Sequence, residues 1–365
     1  MNDARAREYQ KIKKTLTLFH LVFSPAILLL IALTPLSVFL KETALGITLN
    51  PCKAFILYFT FFSLLNLMID LPFSVYSGFF LEHKFGLSNQ TFSAWAGDFL
   101  KKSILSFALG LALMEGLYYL IQNQPAIWWV WAWVGYAIVS YVLGKLFPVL
   151  IVPIFYKYSP IVDAGLREAI LGLAAKHKMP LENVYSINLS KTTKKANAAF
   201  MGMGKTRRVV LSDTLIDQFS QKEIEVVVAH ELGHFLHKDI WRQFFFGLAT
   251  SLISFWVAFH VLDGWSKSLG YLGSGDAAAM PLLFFVFFVA SLVLTPLQNM
   301  FSRMLERAAD RFALDETQDV PSFISCMKKL GEVNLADSNP HPLYEWFFYD
   351  HPAISKRIRM AETKS

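Results

Sequence analysis

Six stretches of this chain are long and apolar enough to leave few folding options. They are Leu16–Leu40, Ala54–Val75, Ser103–Gln122, Trp128–Leu146 (with a continuation toward Phe155), Phe244–Leu262 and Leu282–Leu297. A bilayer-spanning helix needs roughly 20 predominantly apolar residues. In lipid, only helices and closed barrels satisfy their own backbone groups. The predicted class is therefore mainly α: a polytopic helical membrane protein. Charged residues make up 17% of the 365-residue chain, against about 25% in soluble domains. The aromatic start of the fourth stretch, "WWVWAWVGY" at Trp128–Tyr136, has the composition of an interfacial belt.

The net charge of +6 follows the membrane pattern. Lys and Arg gather beside the apolar runs, as in the positive-inside rule, and no basic patch is interleaved with aromatics, so nucleic acid is not an expected partner. The basic N-terminal arm (Arg5, Arg7, Lys11, Lys13, Lys14) and the Lys/Arg-rich segments after the fourth and sixth helices alternate with lysine-poor connections. The alternation places both ends and both long polar regions on the cytoplasmic side of a bacterial inner membrane or an endoplasmic-reticulum membrane. The first run is too long for a cleaved signal, and no small-residue cleavage site follows it. Cys52 and Cys326 form no CxxC pair, so neither a disulfide framework nor a cysteine metal site is expected.

The soluble part is thus split. Residues 1–156 carry helices 1–4, 157–242 a first polar piece, 243–300 a helical hairpin and 301–365 a second polar piece. In the first piece Ala164–Lys178 reads as an amphipathic helix. "VYSINLS" (Val184–Ser190), "ANAAFMG" (Ala196–Gly202) and "RRVVLSD" (Arg207–Asp213) have strand-like content, and turn-rich Gly202–Thr206 predicts a hairpin between the last two.

The chemistry is concentrated in "VVAHELGHFLHKDI", Val227–Ile240. Ser220 followed by Glu223 predicts a capping box and a helix from Gln221. On that helix His230 and His234 lie about 40° apart around the axis and one turn apart, so both rings can meet one ion. Zinc takes neutral imidazole nitrogen and keeps one position open in catalytic centres. Glu231 points about 100° away from His230. It suits a general base acting on water rather than a ligand. A third ligand is required. His237 lies a further turn along and could not close on the same ion. In "MLERAADRFAL" (Met304–Leu314), Glu306 and Asp310 share a helix face. Glu306 can give a carboxylate oxygen, and Asp310 can accept the second ring N–H of a ligating histidine. Alone, that pair would read as an ordinary solvated face with Arg307 and Arg311.

Taken together these segments resemble the type I CAAX prenyl proteases, integral membrane zinc metalloproteases. The likeness rests on "LPFSVYSGFFLEHKFGLSNQTF" (Leu71–Phe92), "NAAFMGMGKTRRVVLSDTL" (Asn197–Leu215), "HELGH" (His230–His234), "SRMLERAADRFA" (Ser302–Ala313) and "DHPAISKRI" (Asp350–Ile358). The resemblance implies a split zinc-metalloprotease domain with a small β-sheet, one Zn2+ per chain on His230, His234 and Glu306, and Glu231 as base. It implies that His351 and Arg357 face the scissile carbonyl, with Asp310 in support. The strand holding Asn197, Ala198 and Phe200 would be the substrate edge. The helices would enclose an intramembrane chamber, and Glu115, costly against lipid, should face a cavity or a partner. The best-known members have seven membrane helices; six are read here, the missing one being the first. The expected partners are the bilayer and a peptide or protein substrate, prenylated where the host makes such proteins. A membrane quality-control zinc protease of the heat-shock type is the alternative enzyme. A metal transporter fits less well, since the histidine helix lies outside the spans and Glu231 has no role in transport.

Overall fold

The structure is a computed structural model that describes residues 2–178, 184–201 and 208–364, without the side chains of Asn2 and Asp3. The predicted turn Gly202–Thr206 lies outside the described residues. Six helical stretches among the described residues are long and apolar enough to cross a membrane: Ala4–Leu33, Pro51–Lys84, Phe92–Asn123, Trp128–Phe155, Asp239–Ser268 and Ala277–Thr317. All six expected spans are present, and most run on beyond their apolar cores. The first differs most. α1 (Asn2–Leu33) ends before Pro35, and α2 (Leu36–Ile47) starts a separate short helix. Proline has no N–H for the helical ladder and clashes with the preceding turn, so Leu16–Leu40 is not one rod.

α3 (Pro51–Val75) passes through a π-helical turn, Tyr76–Phe80, into α4 (Leu81–Lys84). α5 (Phe92–Asn123) is followed by α6 (Trp128–Leu146), a second π turn at Phe147–Ile151 and α7 (Val152–Phe155). Then come α8 (Ala164–Lys176), α9 (Asp213–Gln218), α10 (Gln221–Leu236) and α11 (Asp239–Ser268). α12 (Met280–Thr317), α13 (Val320–Val333), α14 (Pro342–Phe348) and α15 (Ile354–Glu362) complete the chain.

The long helices close a ring. α3 packs on α5, α5 on α6, α6 on α11, α11 on α12 and α12 on α1, while Phe19 and Phe23 of α1 stack against Phe73 of α3. Each span therefore touches its two neighbours, the arrangement expected of helices that surround a chamber. Their shared core, including Phe62, Tyr118, Trp128, Leu262 and Leu283, lies toward one end of the ring. Glu115 lines a cavity of ≈ 390 Å³ with Lys41 and Tyr118, and the Cys52 thiol approaches its carboxylate at 3.7 Å, as its cost in lipid requires.

A four-stranded sheet, ordered β1-β2-β4-β3, sits at the other end. It comprises β1 (Tyr158–Pro160), β2 (Val184–Ile187), β3 (Ala198–Met201) and β4 (Arg208–Ser212). β3 and β4 pair antiparallel, as the hairpin reading expects. β1 escaped the sequence reading because three residues carry no periodicity; only its antiparallel pairing with β2 makes it a strand. The core beneath the sheet draws Leu166, Val209, Leu211, Ile224 and Val228 from before the helical hairpin and Ala313, Phe323, Met327 and Ala361 from after it. The two polar pieces thus share one hydrophobic interior.

Candidate metal centre and active site

α10 is set by the capping box read from the sequence. Ser220 Oγ accepts from Glu223 N–H, and Glu223 Oε2 accepts from Ser220 N–H at 2.8 Å. The Glu223 carboxylate also receives the Ser325 hydroxyl at 2.6 Å and Lys329 Nζ at 2.7 Å, joining α10 to α13. Burial pushes its pKa up, but these bonds outweigh that and bring it from the usual 4.5 down to about 2. Further along, Gly233 lets α10 lie directly on α12. A Cβ there would come within 3.1 Å of Ala309 Cα, tighter than nearly all real Cβ contacts, so the two helices would have to move apart slightly. This contact brings Glu306 to the histidines.

The three sequence-derived ligands converge. His230 Nε2 lies 3.1 Å from His234 Nε2, His230 Nε2 3.3 Å from Glu306 Oε2, and His234 Nε2 3.2 Å from Glu306 Oε1. Four ligands about 2.0–2.1 Å from a tetrahedral zinc would stand about 3.3 Å apart, so the triangle has the edge lengths such an ion needs. Glu306 Oε2 is buried with no hydrogen bond, an orphaned acceptor that a cation would satisfy. The donor set therefore fits a divalent metal. Burial opposes a charge on either ring, yet the neighbouring carboxylates raise both pKa values, His230 through Asp310 and Glu306 and His234 through Asp239 and Glu306. The field that attracts a proton here attracts a metal cation as well. His237 follows the last residue of α10, and its ring packs on Phe312 at 6.0 Å. It is not in the ligand triangle.

Each ligating ring is turned by a carboxylate. His230 Nδ1 is 2.9 Å from Asp310 Oδ1, and His234 Nδ1 is 2.9 Å from Asp239 Oδ2. The first contact was read from the sequence; Asp239 was missed. It becomes the first residue of α11 because Lys238 takes a left-handed conformation, φ 59°, and reverses the chain. The signal available was an acid just past the helix end. Its direction depended on that one residue's backbone.

Glu231 points the other way, into a cleft of ≈ 500 Å³ lined by Asn197, Ala198, His230, His351 and Arg357. Its Oε2 accepts the main-chain N–H of Phe200 at 3.1 Å. β3 is the last strand of the sheet and adjoins the histidine helix. His351 Nε2 is 3.3 Å from Glu306 Oε1, while its Nδ1 is 2.8 Å from Asp350 Oδ1. Arg357 Nε donates to Asp310 Oδ2 at 2.8 Å, and a second guanidinium bond reaches Asp310 Oδ1. α15 starts at Ile354 with Ala353 as its cap, so Pro352 lies in the bend before the helix. The bend around Pro352 brings His351 to Glu306 and Arg357 to Asp310, and both line the same cleft.

Comparisons with known proteins place the chain in a family. Residues 3–157 match the family model described as CAAX prenyl protease N-terminal, five membrane helices, and residues 160–365 match that of peptidase family M48. Over the first range this chain has four long spans and the 12-residue α2. The chain is 31% identical over 308 residues to the "Uncharacterized metalloprotease YhfN" of Bacillus subtilis, covering 82% of this chain and 71% of that one. It is 33% identical over 301 residues to the "CAAX prenyl protease 1 homolog" of Arabidopsis thaliana, covering 80% of this chain and 69% of the relative. The fold superposes on the crystal structure of S. mikatae Ste24p with a TM-score of 0.86 at 23% identity, over 99% of this chain and 89% of the other. With a metallopeptidase domain matched over more than half its length, the protein belongs to peptidase family M48 and is an integral, multi-pass membrane metalloendopeptidase.

Proposed function

We propose that this protein is a zinc endopeptidase that removes C-terminal residues from prenylated CAAX-type proteins or peptides, with its site on the cytoplasmic side. One observation carries the peptidase chemistry: the His230–His234–Glu306 triangle stands beside the edge strand of the sheet, which Glu231 touches. The curated relative from Arabidopsis thaliana is named for CAAX prenyl proteolysis, and a ring of spans beside the cleft suits a substrate carrying a lipid.

His230, His234 and Glu306 would hold one zinc, which when bound polarises the scissile carbonyl and acidifies water. The remaining work falls to this chain's own groups. Asp310 and Asp239 hold the two imidazoles in the tautomer that leaves Nε2 free. An extended peptide adds to β3 by main-chain bonds, which places its backbone against Glu231. Glu231 takes the proton of the attacking water and returns it to the leaving amine. His351 and Arg357 stand on the cleft side of Glu306 and Asp310, where a donor can meet the charge that develops on the carbonyl oxygen. Arg357 also fixes Asp310 through its two bonds.

The test compares a farnesylated peptide with its unmodified twin, using the purified protein in detergent. Preferential cleavage of the farnesylated form is expected. Equal cleavage of both would point to general peptide processing, the second reading, which is favoured by an edge that recognises main chain rather than side chains.

A further inference from the structure

The chain just before β3 continues the sheet edge and is closed off by a side chain. Ser212 N–H donates to Asn197 O at 2.9 Å, and Asn197 N–H donates to Ser212 Oγ at 3.0 Å, so the main chain of Asn197 faces β4. Strand residues alternate in direction. The N–H and C=O of Ala196, Ala198 and Phe200 therefore face away from the sheet, into the cleft. Two of these three positions are engaged. Phe200 N–H is held by Glu231. At Ala196 the Asn334 side chain does what a neighbouring strand would do: its Oδ1 accepts Ala196 N–H at 3.1 Å and its Nδ2 donates to Ala196 O at 3.4 Å.

Asn334 is well braced. It caps the C-terminus of α13, and the next residue, Leu335, takes a left-handed φ of 47°. Gln10 of α1 donates its amide to Leu335 O at 2.6 Å, and Lys14 pairs with Asp337. Gln10, Asn334, Ala336 and Asp337 all line the same cleft as His230 and Glu231. The end of the cleft is therefore a built wall, tied down by the first helix.

We propose that Asn334 is a specificity-determining residue that ends the substrate edge at Ala196 and so limits how many residues the enzyme accepts beyond the scissile bond. β3 already pairs antiparallel with β4, and antiparallel pairing is slightly the more stable. A peptide added antiparallel runs from Phe200 toward Ala196, so its C-terminal end meets the wall. Its residue opposite Ala198 exchanges two main-chain bonds with the edge. The next such exchange, about two residues on, would fall at Ala196, where Asn334 occupies both groups. A bond broken next to His230 and Glu231 then leaves room for about three paired residues, the length of the piece after the cysteine in a C-a-a-X terminus. This deepens the proposed CAAX reading and rests on it for the identity of the substrate.

The experiment uses the zinc-loaded, full-length protein in detergent. Two peptide sets, farnesylated and unmodified, carry three, four or six residues after the cysteine, and a parallel series varies the length before it. The wild type should favour three residues over six by about tenfold in kcat/KM, the scale of one unmade main-chain hydrogen bond. Asn334→Ala should bring that ratio toward one, chiefly by lowering KM for the six-residue peptides. The near-isosteric Asn334→Asp, which keeps the acceptor for Ala196 N–H and loses the donor to Ala196 O, should shift it the same way and guards against misfolding. An unchanged ratio in both variants, or length sensitivity on the N-terminal side only, would overturn the inference. Equal cleavage of the two sets would overturn the CAAX reading alone, because the length ratio is read within each set; no cleavage of any peptide would overturn both.

Discussion

At the scale of single residues, ligand, base and orienting groups have separable signatures. Glu306 supplies one corner of the triangle, so Glu306→Ala should leave the protein without bound metal. Glu231 touches the edge strand and not the triangle. Glu231→Gln should therefore retain zinc while turnover falls by about 100- to 10,000-fold, the usual share of a general base. Metal analysis beside peptide assays checks both, and zinc retained in Glu306→Ala would reject the ligand set. Asp239 reaches the metal site through His234. Asp239→Asn should weaken zinc binding by about 10- to 100-fold, read by competition with a chelator. An unchanged affinity would make Asp239 a simple brace for Arg242, whose Nη1 lies 3.1 Å away.

At the scale of elements, the sheet edge and the α10–α13 joint can each be probed. Ala198 faces the cleft, whereas Ala199 faces β4 in the register Ala199↔Val210. Proline removes an N–H. Ala198→Pro should raise KM with zinc content and melting temperature little changed, while Ala199→Pro should cost stability by breaking the ladder itself. If inhibitor binding survives Ala198→Pro unaltered, the peptide docks elsewhere. The joint depends on Glu223, whose side chain is only 5% exposed. Its folded pKa of about 2 lies below the usual 4.5. The stabilisation it supplies is complete above the unfolded value and disappears as pH falls through the folded one, a difference worth about 2–3 kcal/mol. Glu223→Gln should accordingly lower the melting temperature at neutral pH, and the gap from wild type should narrow between pH 4.5 and 2. A gap independent of pH would show that charge is not what binds α13.

At the scale of the whole molecule, six spans require both ends of the chain to lie on one side. The structure joins the start of α1 to the piece after α13: Lys14 pairs with Asp337 and sits 4.9 Å from the Tyr344 ring. Reporter fusions at the two ends should give the same, cytoplasmic, response, as the basic arm and tail predict. Opposite responses would mean a span missed or miscounted. A different set of contacts explains why a chain split by a helical hairpin still makes one site. α10 before the hairpin and α12 after it meet at Gly233, and the shared core on either side holds them.

Much of this was legible along the chain because its causes are local. Apolar run length determined the spans, the Ser220–Glu223 pair determined where α10 starts, and helical spacing alone turned His230 and His234 toward one point. The i,i+4 spacing of Glu306 and Asp310 showed a shared face, but alone that pair read as a solvated one, and the family resemblance was what implied Glu306 as a ligand. Tertiary structure decided whatever depended on approach between distant segments or on one residue's backbone. The Gly233–Ala309 contact brings Glu306 to the histidines, the left-handed Lys238 turns Asp239 onto His234, and pairing with β2 makes Tyr158–Pro160 a strand. Asn334 at Ala196 belongs to the same class: 138 positions separate the two residues, and no periodicity in either segment records that they meet.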